Sequence, residues 1–139
     1  MNNPISMDPW YALYPLPVGC TGNRLFEMLR EADPLVTMSG YARRFERLNL
    51  VVGRWDAGKA NVRAREMMPA LIGRNVVLLG REVARAFGFD SFGPVAERRT
   101  KDGAIFHLLP HPSGRNPLYN DPGRRRAAGE LLARLYAME

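Results

Sequence analysis

The side chains best suited to chemistry gather in the segment Leu109-Pro110-His111-Pro112-Ser113-Gly114-Arg115-Asn116-Pro117, where an imidazole, a hydroxyl, a guanidinium and a carboxamide follow an apolar stretch. Two other polar loops carry Tyr14 and Asn49. These groups donate and accept hydrogen bonds and, in the case of arginine, meet phosphates. Metal and disulfide chemistry have little to work with. The single cysteine, Cys20, excludes an internal disulfide and a cysteine-based zinc site. We expect neither a metal nor a cofactor.

The formal net charge is +6 over 139 residues. Excess positive charge favours polyanionic partners, because each neutralised phosphate releases condensed counterions. Arg54, Lys59, Arg63, Arg65, Arg124, Arg125 and Arg126 could all track a phosphate backbone. The run 124–126 opens a helix, where the macrodipole prefers acids, so it reads either as an anion contact or as a solvated charged turn. With 46% hydrophobic residues the chain can bury a core and is not of disordered composition. Its first residues hold no apolar stretch of signal-peptide type, and its longest aliphatic run, 76–79, is too short to span a bilayer. The expectation is a soluble cytoplasmic monomer with no membrane partner.

Positioning these residues requires a scaffold. Residues 1–9 read as an arm, and 10–14 as a short strand ended by Pro15 and Pro17. Leu25, Phe26, Met28 and Leu29 recur at helical spacing up to Ala32, and Asp33-Pro34 breaks that helix. Residues 47–53 suit a buried strand, 62–72 a helix with Pro69 as a kink or early end, and Gly73 a C-cap. Residues 75–79 form the clearest strand, followed by Gly80 and a helix over 81–87. Short strands at 95–97 and 105–109 precede a last helix with Asp121 as N-cap and Pro122 at its first position. This alternation predicts one α/β domain over residues 1–139, with a mainly parallel sheet between helices. In such sheets, sites form in the loops leaving the carboxyl ends of strands.

The segment from Leu109 to Pro117 resembles the second conserved motif of the uracil-DNA glycosylase superfamily. Its form is that of the single-strand-selective monofunctional enzymes, His-Pro-Ser, one small residue, then Arg-Asn-Pro. The mismatch-specific enzymes are similar but usually carry Asn for the His. Leu48-Asn49-Leu50-Val51 resembles the family strand that ends near a base-reading asparagine. Glu66, Pro69-Ala70-Leu71 and Val76-Val77-Leu78-Leu79-Gly80 resemble the family's central helix-strand-Gly-helix stretch. The likeness spans roughly residues 13–135 and implies a three-layer sandwich that flips a base out of DNA and cleaves its N-glycosidic bond.

The resemblance assigns the roles. His111 donates to the carbonyl oxygen of the departing base, where negative charge develops; otherwise it is a structural histidine fixing a turn. Asn49, with Pro15, holds the base, a carboxamide offering a donor and an acceptor side by side; alternatively Asn49 satisfies backbone groups at a strand edge. Ser113 binds a flanking phosphate or caps the turn. Arg115 enters the space left by the flipped base, or is simply solvated, and Gly114, Asn116 and Pro117 shape the DNA-facing loop.

One motif departs from the pattern. Leu13-Tyr14-Pro15-Leu16-Pro17-Val18-Gly19-Cys20-Thr21-Gly22 keeps the family's Pro, Gly and Thr-Gly frame, but Tyr14 occupies the position that activates water. A phenol with a reference pKa of about 10 is a poor base. Cleavage would then lean on stabilising the leaving base. Three outcomes stay open: altered chemistry, an unusual base, or a base-binding protein that does not cleave.

Overall fold

Asn75-Val76-Val77-Leu78-Leu79 is short, β-branched and apolar in its centre, and it forms strand β1, Asn75–Leu79. The computed structural model of the chain describes residues 13, 20–51, 53–90, 97–112 and 117–138. Within them the order is α1 (Thr21–Ala32), α2 (Met38–Arg44), α3 (Ala57–Leu71), β1, α4 (Arg81–Ala86), β2 (Glu97–Lys101), β3 (Ala104–Leu109), a 3₁₀ turn (Pro117–Asn120) and α5 (Pro122–Ala137). The chain is therefore a mixed helix and strand protein. It divides into two compact units, one holding the described residues from Asn49 to Pro110, the other those up to Leu48 and from His111 onward.

In the first unit β3 is the middle strand of a sheet of order β1-β3-β2. It runs parallel to β1, with Asn75 opposite Ile105 and Leu79 opposite Leu109. It runs antiparallel to β2, with Glu97 opposite Leu108 and Lys101 opposite Ala104. Among the described residues the sheet is thus mixed, not mainly parallel. The reason is local. Asp102 and Gly103 both take positive φ, 49° and 83°, which closes a two-residue hairpin and returns β3 alongside β2. A strand was expected only as far as residue 97, whereas β2 starts there and runs on through Arg98 and Arg99.

Leu78, Phe106 and Leu108 share one sheet face, and α3 and α4 cover it through Ala60, Ala64, Leu71, Ala84 and Ala86. Small alanines let α3 approach closely. Phe106 is fully buried, with the rings of Phe87 and Phe89 at 5.5 and 5.3 Å. Helix α3 starts five residues before the expected 62, because Asp56 accepts the Lys59 N–H at 3.0 Å and caps it. Pro69 lies inside the helix without ending it. Gly73 then turns the chain at φ 76°, and its N–H donates to the Gly103 carbonyl at 2.7 Å. At the other helix, Lys101 Nζ donates to the Phe87 carbonyl at 2.6 Å, supplying a cation to the C-terminus of α4.

The expected strand over residues 47–53 does not form; this stretch is irregular in the described residues. Among the described residues of this stretch only Val51 is buried, while Leu48 is 38% exposed. The apolar composition marks a segment that lays Leu50 and Val51 on the core, not a laddered strand.

In the second unit α1 and α5 pack face to face, burying Leu25, Phe26, Met28 and Leu29 against Ala128, Gly129, Leu131 and Leu132. Cys20 caps α1, its Sγ accepting the Asn23 N–H at 3.4 Å. Asp121 caps α5 by accepting the Arg124 N–H at 2.9 Å, as its sequence predicts. Helix α2 was not expected from sequence. Thr37 caps it, and Tyr41 anchors it against Phe26 and Phe45, each ring centroid 5.7 Å away. The expected strand over 10–14 and the arm over 1–9 lie outside the described residues, except Leu13, which occupies a turn.

Candidate functional site

The carboxyl ends of the two parallel strands lie side by side. After β1 the chain turns at Gly80, with φ 93°, and the Gly80 N–H donates to the Leu109 carbonyl at 2.8 Å. At that point β3 ends and the segment beginning Pro110-His111 leaves the sheet. Pro110 and Pro112 are both buried, and His111 between them is half-buried. Alternation of this kind is what an extended backbone produces, turning neighbouring side chains to opposite sides. Past the motif, Tyr119 is buried in the 3₁₀ turn, and burial raises its phenol above the usual value. Both described flanks of the segment are therefore anchored by buried side chains.

Asn49 is half-buried in the irregular stretch leading to Leu50 and Val51. His111 and Asn49 belong to different units. Tyr14, Pro15, Ser113, Gly114, Arg115 and Asn116 lie outside the described residues. Pro117 opens the 3₁₀ turn.

The structure does bring together two of the predicted cations. Lys59 and Arg63 stand one turn apart on α3, where with Leu50, Val51, Gly58, Val62 and Glu66 they line an open groove of about 620 Å³. This is the face of α3 opposite in kind to its alanine-lined inner side. Val62 is 49% exposed there. The helix turns Ala60 and Ala64 inward and leaves Val62 outside the core.

Arg125 departs from the reading that residues 124–126 form a phosphate-tracking run. Its Nε contacts Glu31 Oε2 at 2.7 Å and Oε1 at 2.9 Å, and Glu27 stands 4.0 Å from Nη2. The hydrogen bond that Arg125 donates to Glu31 raises the guanidinium's pKa further. Arg125 thus ties α5 to α1, which explains a cation in the first turn of a helix without an external anion.

A partly buried polar pair was not foreseen. His107 Nε2 and Asn75 Oδ1 lie 3.0 Å apart, His107 being buried in β3. The signal was available in sequence, since His107 falls on the strand face opposite Phe106 and Leu108. Among the described residues no group of three His, Cys, Asp or Glu could hold a metal ion, and no helix is long and apolar enough to cross a membrane.

Comparison with known proteins finds no matching family model, no matching curated protein and no matching solved structure.

Proposed function

We propose that this chain recognises a DNA base in the manner of the uracil-DNA glycosylases, excising uracil or a modified pyrimidine after flipping it from the stack. The observation that carries the reading is the launching point of the His-Pro-Ser-Gly-Arg-Asn-Pro segment. It leaves the carboxyl end of the central strand, beside the carboxyl end of the parallel neighbour β1. Ligands of open α/β sheets bind outside the carboxyl ends of strands.

On this reading the fold is the family's three-layer sandwich, acting in the cytoplasm as a monomer without metal or cofactor. His111 donates to the base carbonyl as the glycosidic electrons flow into the base. Asn49 and Pro15 hold the base, Arg115 fills its vacated place, and Ser113, Gly114 and Asn116 meet the strand. Tyr14 is a weak base, so leaving-group stabilisation supplies most of the acceleration.

The test is excision from labelled uracil-containing single and double strands, with alkali to cleave abasic sites. Product is expected, and His111→Ala should lower the rate by about 10²–10³-fold, the usual loss of one such donor. No product from any substrate in a panel of damaged bases overturns the enzymatic reading. A second reading, a base-binding module that does not cleave, is favoured by one observation, the phenol of Tyr14 where the family holds a water-activating group. Base-dependent binding without product would select it.

A further inference from the structure

The cations of this chain are not equally available. Arg125 is paired with Glu31 and Arg99 with Glu97. Lys101 is committed to the Phe87 carbonyl and Arg44 to the Tyr136 carbonyl, at 2.6 and 3.0 Å. By contrast Arg54, Lys59, Arg63 and Arg65 are exposed and make no ion pair among the described residues. Between residues 54 and 66 the acids are Asp56, whose carboxylate caps α3, and Glu66. Four exposed cations thus lie together on one helix and the turn before it.

That helix also borders the groove. Lys59, Val62, Arg63 and Glu66 follow i, i+3, i+4 and i+7 spacing and form one stripe. Leu50 and Val51 run alongside and give the groove an apolar floor. Lys59 and Arg63 are separated by roughly 6 Å along the helix axis. This is comparable to the spacing of successive phosphates in an extended strand.

We infer that this groove is a binding track for single-stranded nucleic acid, Lys59 and Arg63 meeting consecutive phosphates while bases lie on Leu50 and Val62. The inference takes its polyanion from the DNA-binding reading above. An apolar floor between cations suits a strand whose bases are uncovered; a duplex turns only its phosphates and groove edges outward. Single-strand binders combine a cationic path with side chains on which the bases rest, commonly aromatic ones; in this groove aliphatic side chains supply that surface. Asn49, directly before Leu50, adds a base-reading carboxamide next in the chain to the floor.

The experiment is a titration of the whole chain with a short single-stranded DNA across a salt series. We expect Lys59→Gln/Arg63→Gln to flatten the log–log salt slope by about 1.4, the loss of two single-strand phosphate contacts, and to weaken binding roughly 25-fold at 0.1 M salt. Arg98→Gln/Arg134→Gln removes the same charge elsewhere and should keep the wild-type slope. Val62→Ser should weaken binding at unchanged slope, and an abasic strand of equal length should bind the wild type less well. Circular dichroism checks that each variant is folded. Unchanged affinity and slope in the folded Lys59/Arg63 variant overturn the inference, as does equal loss in the Arg98/Arg134 variant or no single-strand binding by the wild type. Excision is read separately: slope loss without any excised base removes the glycosylase reading and keeps the track, whereas excision with an unaltered slope does the reverse.

Discussion

The hydroxyl of Tyr41 donates to the carbonyl of Leu13 at 2.8 Å, across 28 residues of sequence, and Leu13 holds a φ of 51°. Left-handed backbone is uncommon for a leucine and persists only where its surroundings hold it. Tyr41 is itself fixed by the edge of Phe26 and by Arg47, whose guanidinium stands 5.6 Å from the ring centroid. Tyr41→Phe removes the hydroxyl and keeps the ring. It should cost about 1 kcal/mol, because a half-buried carbonyl loses its donor. Urea unfolding checks this; a midpoint equal to wild type would show the bond to be dispensable.

Alkali should unfold this protein earlier than its net charge alone suggests. Burial raises the phenols of Tyr41 and Tyr119 above their usual value of 10.0. The neutral phenol is thus favoured in the folded state. Its contribution is whole below pH 10 and is lost as pH climbs from there toward the folded values. Each tyrosine should remove about 1.4 kcal/mol per pH unit over that window. Denaturation at pH 9, 10 and 11 reads the slope, and Tyr41→Phe should reduce it.

Gly129 lies against the backbone of α1 where α5 packs on it. A β-carbon built there would collide with the carbonyl oxygen of Met28, a backbone atom that cannot swing aside. Gly129→Val should therefore force the helices apart and cost about 1–3 kcal/mol, the range for overpacking. Thermal unfolding monitored by circular dichroism is sufficient to see it.

Arg125→Gln separates two readings of one residue. Its charge is partly shielded by Glu31 and Glu27, so its loss should change stability by no more than about 1 kcal/mol. Single-strand affinity should stay within about twofold of wild type, since a paired guanidinium releases few counterions. A full phosphate contact's worth of salt dependence lost with Arg125 would mean the carboxylates yield it to DNA.

What could be read from sequence was whatever local chemistry decided. β1, α4, β3 and α5 stand close to where composition and capping residues put them, because a β-branched run, a Gly before a helix and an Asp-Pro start are self-sufficient signals. The mixed sheet was missed although Asp102-Gly103 is a hairpin pair in plain view; only the positive φ of both residues turns that hint into an antiparallel strand. Helix α2 was missed because Ser39 and Gly40 are poor helix formers, and its stability comes from Tyr41 packing on Phe26. The fate of residues 47–53 shows the reverse error, apolar side chains without a ladder. At the candidate site, sequence marked His111 and the cations alike. It could not tell Arg125 from Arg63, because an ion pair to Glu31 spans 94 residues and exists only once α1 and α5 have met.

The place of β3 in the sheet also sets an order of assembly. It meets β2 across a two-residue turn, so that hairpin can close on the order of 1–10 μs. Its pairing with β1 must wait for α4 and the chain beyond it to be looped out, a slower, non-local step. The bond from Gly80 to Leu109 is made only at that second step. The end of β3 thus acquires its neighbour late, and a nascent chain stalled with β2 and β3 formed would lack the bond that joins it to the turn after β1.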